Sequence, residues 1–461
     1  MKAFERPLVR KITTSVVLLL CTAVYGQELA IPNGDDYNGK KLTATVYNSG
    51  FAEAHDSYNS MGTGSDGKIY YVLSSESYDV GGKMYWFDPT TKEIKCVGDL
   101  TEACGEKDLK AIPQGKSHVN FCEVDRKLYF ATHIGVYAIV DGRETMGLPP
   151  VGYAPYPGGH FLAYDMQSEK IEDLALNPNH DGIIAATTDP VRKRMYAITW
   201  PSGHFLRYDI ATKDLRDLGL IIGQSPEIPI FRALCRAPVV NTEDGSCYYT
   251  TVDGSIVRYV YERDELEIVH GENMLKDYFG RYDPKVPGHM GYNWRQTFWY
   301  APEKVIYGVH GNSGYLFRFD PAAPRIEVLE RLTSQSSKRS GMFDQFSFGY
   351  LGFALAPDNK TICYLTGGPI YVNGKRLQGK TTTRKGEAKG LENLHLITYY
   401  LPTGKYTDHG AIFYPNGERP LYVNSITIGK DGTVYSLGRV MENGKMRADL
   451  FSVPSPLKNA R

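Results

Sequence analysis

Histidines and arginines of this sequence recur where short β-rich runs begin or end. His118 opens one run (KSHVNF) and His133 closes the next (FATHIG). His55 opens another (EAHDSYN) and His310 closes one (YGVHGNSG). Arg232 and Arg236 (FRALCR) and Arg295 (YNWRQ) stand at two further starts. If these ends share one rim, imidazoles that move protons near neutral pH meet guanidiniums that grip a carboxylate with two parallel bonds. Such a mouth suits an acidic sugar. We expect proton transfer at His55, in the polar segment Glu53–Asn59, where Asp56 or Glu53 would orient the imidazole or raise its pKa. The expected substrate-binding residues are His118, His133, Arg232, Arg295 and His310. His160 and His204 differ, because they recur at equivalent places (GGHFLAY, SGHFLRY) and read as repeated structural parts.

The elements that must position these residues form a repeat. A run with a central aromatic returns as GKIYYVLSS, RKLYFATH, KRMYAITW, GSCYYTTV, KVIYGVHG, KTICYLTG and GTVYSLGR. The spacing is roughly 60 residues, within the range of propeller arrays. A second run, such as MYWFDPTTKEI or FLRYDIATKDL, follows most copies. A leading strand ends at turns such as SDG, EDG or KDG, whose residues tolerate positive φ. Each unit therefore reads as four strands, and seven units as an all-β, single-domain, seven-bladed β-propeller of antiparallel blades from about residue 45 onward. First strands begin and second strands end at one rim. Two long loops, 135–159 and 369–393, each join a second strand to a third. Loops of that length in a compact domain are usually functional or disordered.

The composition narrows the classes of function. Lys and Arg together number 52 and so do Asp and Glu, which leaves no basic field for nucleic acid. Residues 1–26 read as a secretory signal: a basic start, the apolar run SVVLLLCTA, and small residues before Gln27. The expected domain is then 27–461, in the periplasm or outside the cell, as a monomer with no membrane span. The 34 tyrosines suit both strands and sugar stacking, and strand propensity explains most of them. Cys235 and Cys247 flank a turn and are placed either to pair or to stay as buried thiols. No cysteine spacing matches a zinc finger. No cofactor is required by any motif, which leaves a bound structural metal ion open.

The segments EAHDSYNSMGTGSDGKIYYV, KSHVNF, GGHFLAYD, WPSGHFLRYD and HGNSGYLFRFD, in this blade order and behind the signal, resemble the gut-bacterial propellers of glycoside hydrolase family 145. The resemblance covers most of the chain after the signal. It implies an exo-α-L-rhamnosidase acting on L-rhamnose-α-1,4-D-glucuronate caps of arabinogalactan, dependent on one histidine that matches His55. Relatives with glutamine at that place lack the activity. The resemblance also implies a site on the face opposite the His118/His133 rim, whereas the strand order puts His55 on that same rim. The chain is similar as well to propeller polysaccharide lyases, the ulvan lyases and polysaccharide lyase family 42. Those use a histidine pair, matched by His118 and His133, with a tyrosine and an arginine. The next blade offers Ile184 and Trp200 where those two would stand.

Three readings follow. A glycosidase ordinarily needs two carboxylates, so a lone histidine suffices only when the substrate's own carboxylate helps. A uronate lyase needs a neutralised carboxylate, a base for C5 and an acid for the leaving oxygen. A glycan-binding propeller needs neither, and fold does not decide function.

Overall fold

The computed structural model describes residues 41–460, apart from 57, 142, 222–233, 280–290, 312, 336–337, 339–351, 370, 373–374, 377–391, 422 and 443–444. The signal-like segment, Arg232 and most of the long loop 369–393 lie outside the described residues.

Seven antiparallel sheets of four strands make the ring. Blade one runs Met61–Thr63, Ile69–Leu73, Lys83–Phe87 and Ile94–Asp99. Blade two runs Cys122–Val124, Lys127–Ala131, His160–Asp165 and Lys170–Leu176. Blades three to six occupy 182–220, 239–268, 294–331 and 353–413. Blade seven takes three strands from 427–453 and its outermost strand, Thr45–Val46, from the other end of the chain. Thr45 pairs with Ser452 and Val46 with Phe451, which closes the ring. Lys41–Thr43 adds a parallel fifth strand to blade six.

The aromatic runs are second strands, and they are buried because each is covered by sheets on both sides. Ile69–Leu73 is buried throughout. Tyr70, Tyr71, Tyr196, Tyr249, Tyr364 and Tyr435 rank among the largest fully buried side chains. Rings from neighbouring blades meet, as Tyr196 and Tyr259 do at 4.9 Å between centroids. These tyrosines hold blade to blade and are not available to stack on a sugar. Some of these hydroxyls find local partners: Tyr70 donates to Asp66 at 2.8 Å and Tyr196 to Gly245 O at 3.2 Å.

The Y/F-D runs have an equally local cause. Asp165, Asp209 and Asp320 end third strands and Asp88 directly follows one; Asp88, Asp165, Asp209 and Asp320 each accept a backbone N–H two residues on, at 2.8, 2.9, 3.1 and 2.9 Å. This Asx turn starts the hairpin to the fourth strand.

The GGHF and SGHF histidines are structural, as their recurrence indicates. His160 Nδ1 meets Asp173 at 2.9 Å, His204 Nδ1 meets Asp217 at 2.8 Å and His395 Nδ1 meets Asp408 at 3.0 Å. Each pair is 13 residues apart and staples the start of a third strand to the fourth strand across a register shift. His160 also contacts Glu106 at 2.9 Å. Burial opposes its charge, but hydrogen bonds to Asp173, Cys104 and Glu106 outweigh this and lift its pKa to about 11.

Cys235 and Cys247 do not pair. Both are buried free thiols, and Thr250 Oγ1 lies 3.8 Å from the Cys235 sulfur. Among the described residues no helix is long and apolar enough to cross a membrane.

Candidate functional site

The backbone around His55 is pinned where the ring closes. His55 N donates to Ser74 O at 3.0 Å, at the end of blade one's second strand. Ala448 N, on blade seven, donates to Ala54 O at 3.1 Å. His55 therefore stands on the rim where first strands begin and second strands end. Its half-exposed ring presents Nδ1 to Asp56 Oδ2 at 3.4 Å and to Glu76 Oε2 at 3.5 Å.

Each carboxylate is held from behind by a cation. Asp56 Oδ1 accepts from Arg439 Nε at 2.8 Å and from Nη2 at 2.5 Å. Glu76 Oε1 accepts from Lys116 Nζ at 2.9 Å. The hydrogen bond to Asp56 raises the His55 pKa above 6.5; burial opposes it, the charges of Asp56 and Glu76 add to it, and Arg439 opposes it. Burial pushes Asp56 up, but His55, Arg439 and Lys116 together hold it below 3.8. The His55 contribution to stability is thus complete below pH 6.5 and lost as pH rises through the raised folded value. The Asp56 contribution is present above pH 3.8 and lost as pH falls through the lowered one.

His55, Asp56 and Glu76 offer ligand atoms within 4.8 Å of one another, a spacing that would admit a small cation. Arg439 and Lys116 already neutralise both carboxylates, however, so an imidazolium suits the space better than a metal ion.

The same cluster contains His118 and His133. Lys116 and His133 form an isolated antiparallel bridge, N to O at 2.9 and 2.7 Å. The two histidine rings meet edge to face at 4.8 Å. Tyr58 packs on His118 at 4.2 Å. Trp200 packs on His133 at 5.5 Å and on Tyr137 at 5.2 Å. Tyr137 belongs to a hairpin, Tyr137–Val140 with Arg143–Met146, that rises from the first long loop. Its hydroxyl lies 3.5 Å from His118 Nε2.

Glycines permit this approach. A Cβ on Gly115 would lie 2.5 Å from Gly135 Cα, and one on Gly135 would lie 2.4 Å from Ser75 O. Three backbone segments thus touch, which brings Glu76, Lys116 and Tyr137 together. A Cβ on Gly182 would lie 2.0 Å from His133 Nδ1. Gly182→Ala should therefore lower unfolding stability by about 1–3 kcal/mol, the usual penalty for overpacking, and move the His133 ring signals. Unchanged denaturation and unchanged signals would contradict the packing.

His310 and Arg295 sit on blade five, both buried. His310 Nδ1 pairs with Ser313 Oγ at 2.9 Å and its ring stacks on Phe279 at 4.3 Å. Blade five reaches the His55 segment through Gln296, whose Nε2 donates to Asn59 Oδ1 at 3.2 Å. The His55, His118 and His133 positions are thus one cluster, with blade five at its border.

Sequence reasoning missed Lys116, Glu76, Tyr137 and Arg439. Gly115 and Gly135, beside Lys116 and His133, were a usable sign of backbone approach. Arg439 lies 383 residues from Asp56, and no local signal marks it.

The chain matches no protein-family model and no curated protein. Solved structures are similar in fold. A chain of a mitotic checkpoint complex has a TM-score of 0.51 at 8% identity, covering 99% of this chain and 98% of that one. A catalytically inactive virginiamycin B lyase from Staphylococcus aureus with quinupristin has 0.49 at 7%, covering 89% and 98%. A streptogramin B lyase has 0.48 at 10%, covering 89% and 97%. At such identities the likeness is one of propeller fold.

Proposed function

We propose that this protein is a secreted carbohydrate-active enzyme that releases terminal L-rhamnose from L-rhamnose-α-1,4-D-glucuronate caps of arabinogalactan-type glycans, with His55 carrying the proton. The observation that supports it is the half-exposed His55 ring between two carboxylates that are themselves charge-neutralised. In the reaction the bond from rhamnose C1 to glucuronate O4 breaks, water oxygen joins C1, and O4 gains a proton. Asp56 and Glu76 are committed to cations, so they serve His55 and not the sugar. The glucuronate carboxylate of the substrate supplies the help that a single histidine needs.

A second reading, elimination at the uronate, draws on Tyr137, which stands beside His118 as a lyase tyrosine would. Lys116 is fully buried and bound to Glu76 and Tyr58, so it does not reach a uronate carboxylate. That favours hydrolysis.

Incubation with rhamnose-capped arabinogalactan tests the reading. Free rhamnose without an unsaturated uronate chromophore supports hydrolysis. The chromophore means elimination, and binding without turnover means a glycan-binding propeller. For hydrolysis with His55 as the acid, kcat/KM should hold past pH 6.5 and fall on an alkaline limb, because the imidazolium is stabilised. A limb below pH 6.5 would rule His55 out as that acid.

A further inference from the structure

We propose that Lys116 is the positioning residue of this site, its buried ammonium joining the carboxylate beside His55 to the tyrosines that hold His118, so that the two histidine groups form one proton-transfer unit. This rests on reading the cluster as a proton-transfer centre, whichever glycan it serves.

Lys116 has no solvent exposure. Burying an ammonium costs several kcal/mol unless its donors are met, and a methionine-sized apolar group would pack there more cheaply. The donors are met by groups that all belong to the site. One goes to Glu76 Oε1 at 2.9 Å, whose other oxygen faces His55. One goes to the Tyr58 hydroxyl at 2.8 Å, and the Tyr58 ring packs on His118. The ammonium also lies 4.4 Å from the centre of the Tyr137 ring, whose hydroxyl faces His118. Through its backbone the same residue is bridged to His133. Two elements that share no strand, the His55 loop and the His118 segment, are therefore tied at one nitrogen.

The charges around it come from several elements. Glu76 and Asp56 lie on the blade-one side, Glu144 on the hairpin, and Arg439 behind Asp56. Burial pulls the ammonium below its usual range while Glu76 and Asp56 pull it back up. Removing it leaves Glu76 and Asp56 more negative toward His55.

The test uses the full chain with labelled histidine rings, followed by NMR across pH. In Lys116→Met the His55 midpoint should rise by about half a unit or more, as expected for carboxylates that lose a cation. The His118 ring resonances should shift in the same variant, and Lys116→Arg should return the His55 midpoint. In Glu76→Gln the His55 midpoint should fall instead, and His118 should still respond, through Lys116 and Tyr58. On the glycan, kcat of Lys116→Met should drop about tenfold to a hundredfold with KM little changed, the signature of misplacement. His118 resonances that stay fixed in both variants, or a His55 midpoint unmoved in folded Lys116→Met, would overturn the proposal. If Lys116→Met does not fold, Glu76→Gln decides alone. Expected ring shifts with no turnover would sink the glycan reading and leave the positioning role standing.

Discussion

His55→Gln should cut rhamnose release by about 10²–10⁴, the usual loss when an acid–base group is removed, while the melting temperature barely moves. Glutamine keeps the approximate size and one hydrogen bond but cannot titrate. The ring is half exposed and lies 3.4 and 3.5 Å from its carboxylates, so little packing depends on it. What pins this segment is backbone, through Ser74 and Ala448, and a substitution leaves that intact. If His55 served only to seal the ring closure, stability would fall and activity per folded molecule would persist. If His118→Ala or His133→Ala abolished turnover and His55→Gln did not, the chemistry would belong to the histidine pair, and elimination would replace hydrolysis.

Arg439→Met should show the opposite balance. Asp56 is almost wholly buried, and Arg439 gives it two charge-assisted bonds from blade seven. Removing the guanidinium strands that carboxylate, at a cost of about 3 kcal/mol as for other broken buried pairs. Urea denaturation should register this as a lower midpoint with an unchanged slope. The double variant Asp56→Asn/Arg439→Met should recover part of the loss, because no buried charge is left uncompensated. Arg439 also lowers the His55 pKa, so its loss should move the alkaline limb of any activity further up. A loss below about 1 kcal/mol would mean that the pair behaves as a screened surface contact.

The fold was legible because its causes are local. The aromatic runs repeat, and an Asp at the end of a third strand makes its own turn, as Asp165 and Asp209 do. His160 and His204 could be set aside as structural because each recurs before the same Phe-Leu pair. The site was legible only in part. His55, His118 and His133 lie at strand ends, which the four-strand unit places on one rim. What joins them is non-local: Lys116 to Glu76 across two blades, and Arg439 to Asp56 across the ring closure. Tyr137 stayed hidden because it belongs to an insertion that no blade pattern covers. His55 also stands with His118 and His133, not on the opposite face that the family resemblance implies.

The outermost strand of blade seven comes from Thr45–Val46 and its neighbours from Val434–Glu442 and Lys445–Val453. Thr45 and Val46 thus wait for nearly the last described strand before they have a sheet to join. His55 and Asp56 follow that strand closely, and Arg439 arrives with its late partners. A growing or truncated chain that lacks the final blade holds His55 with neither Ala448 behind it nor Arg439 on Asp56. Assembly of this cluster thus depends on the last blade. It is also a slow step by nature, because so distant a contact pays the entropy of closing the whole ring before any of its bonds return energy.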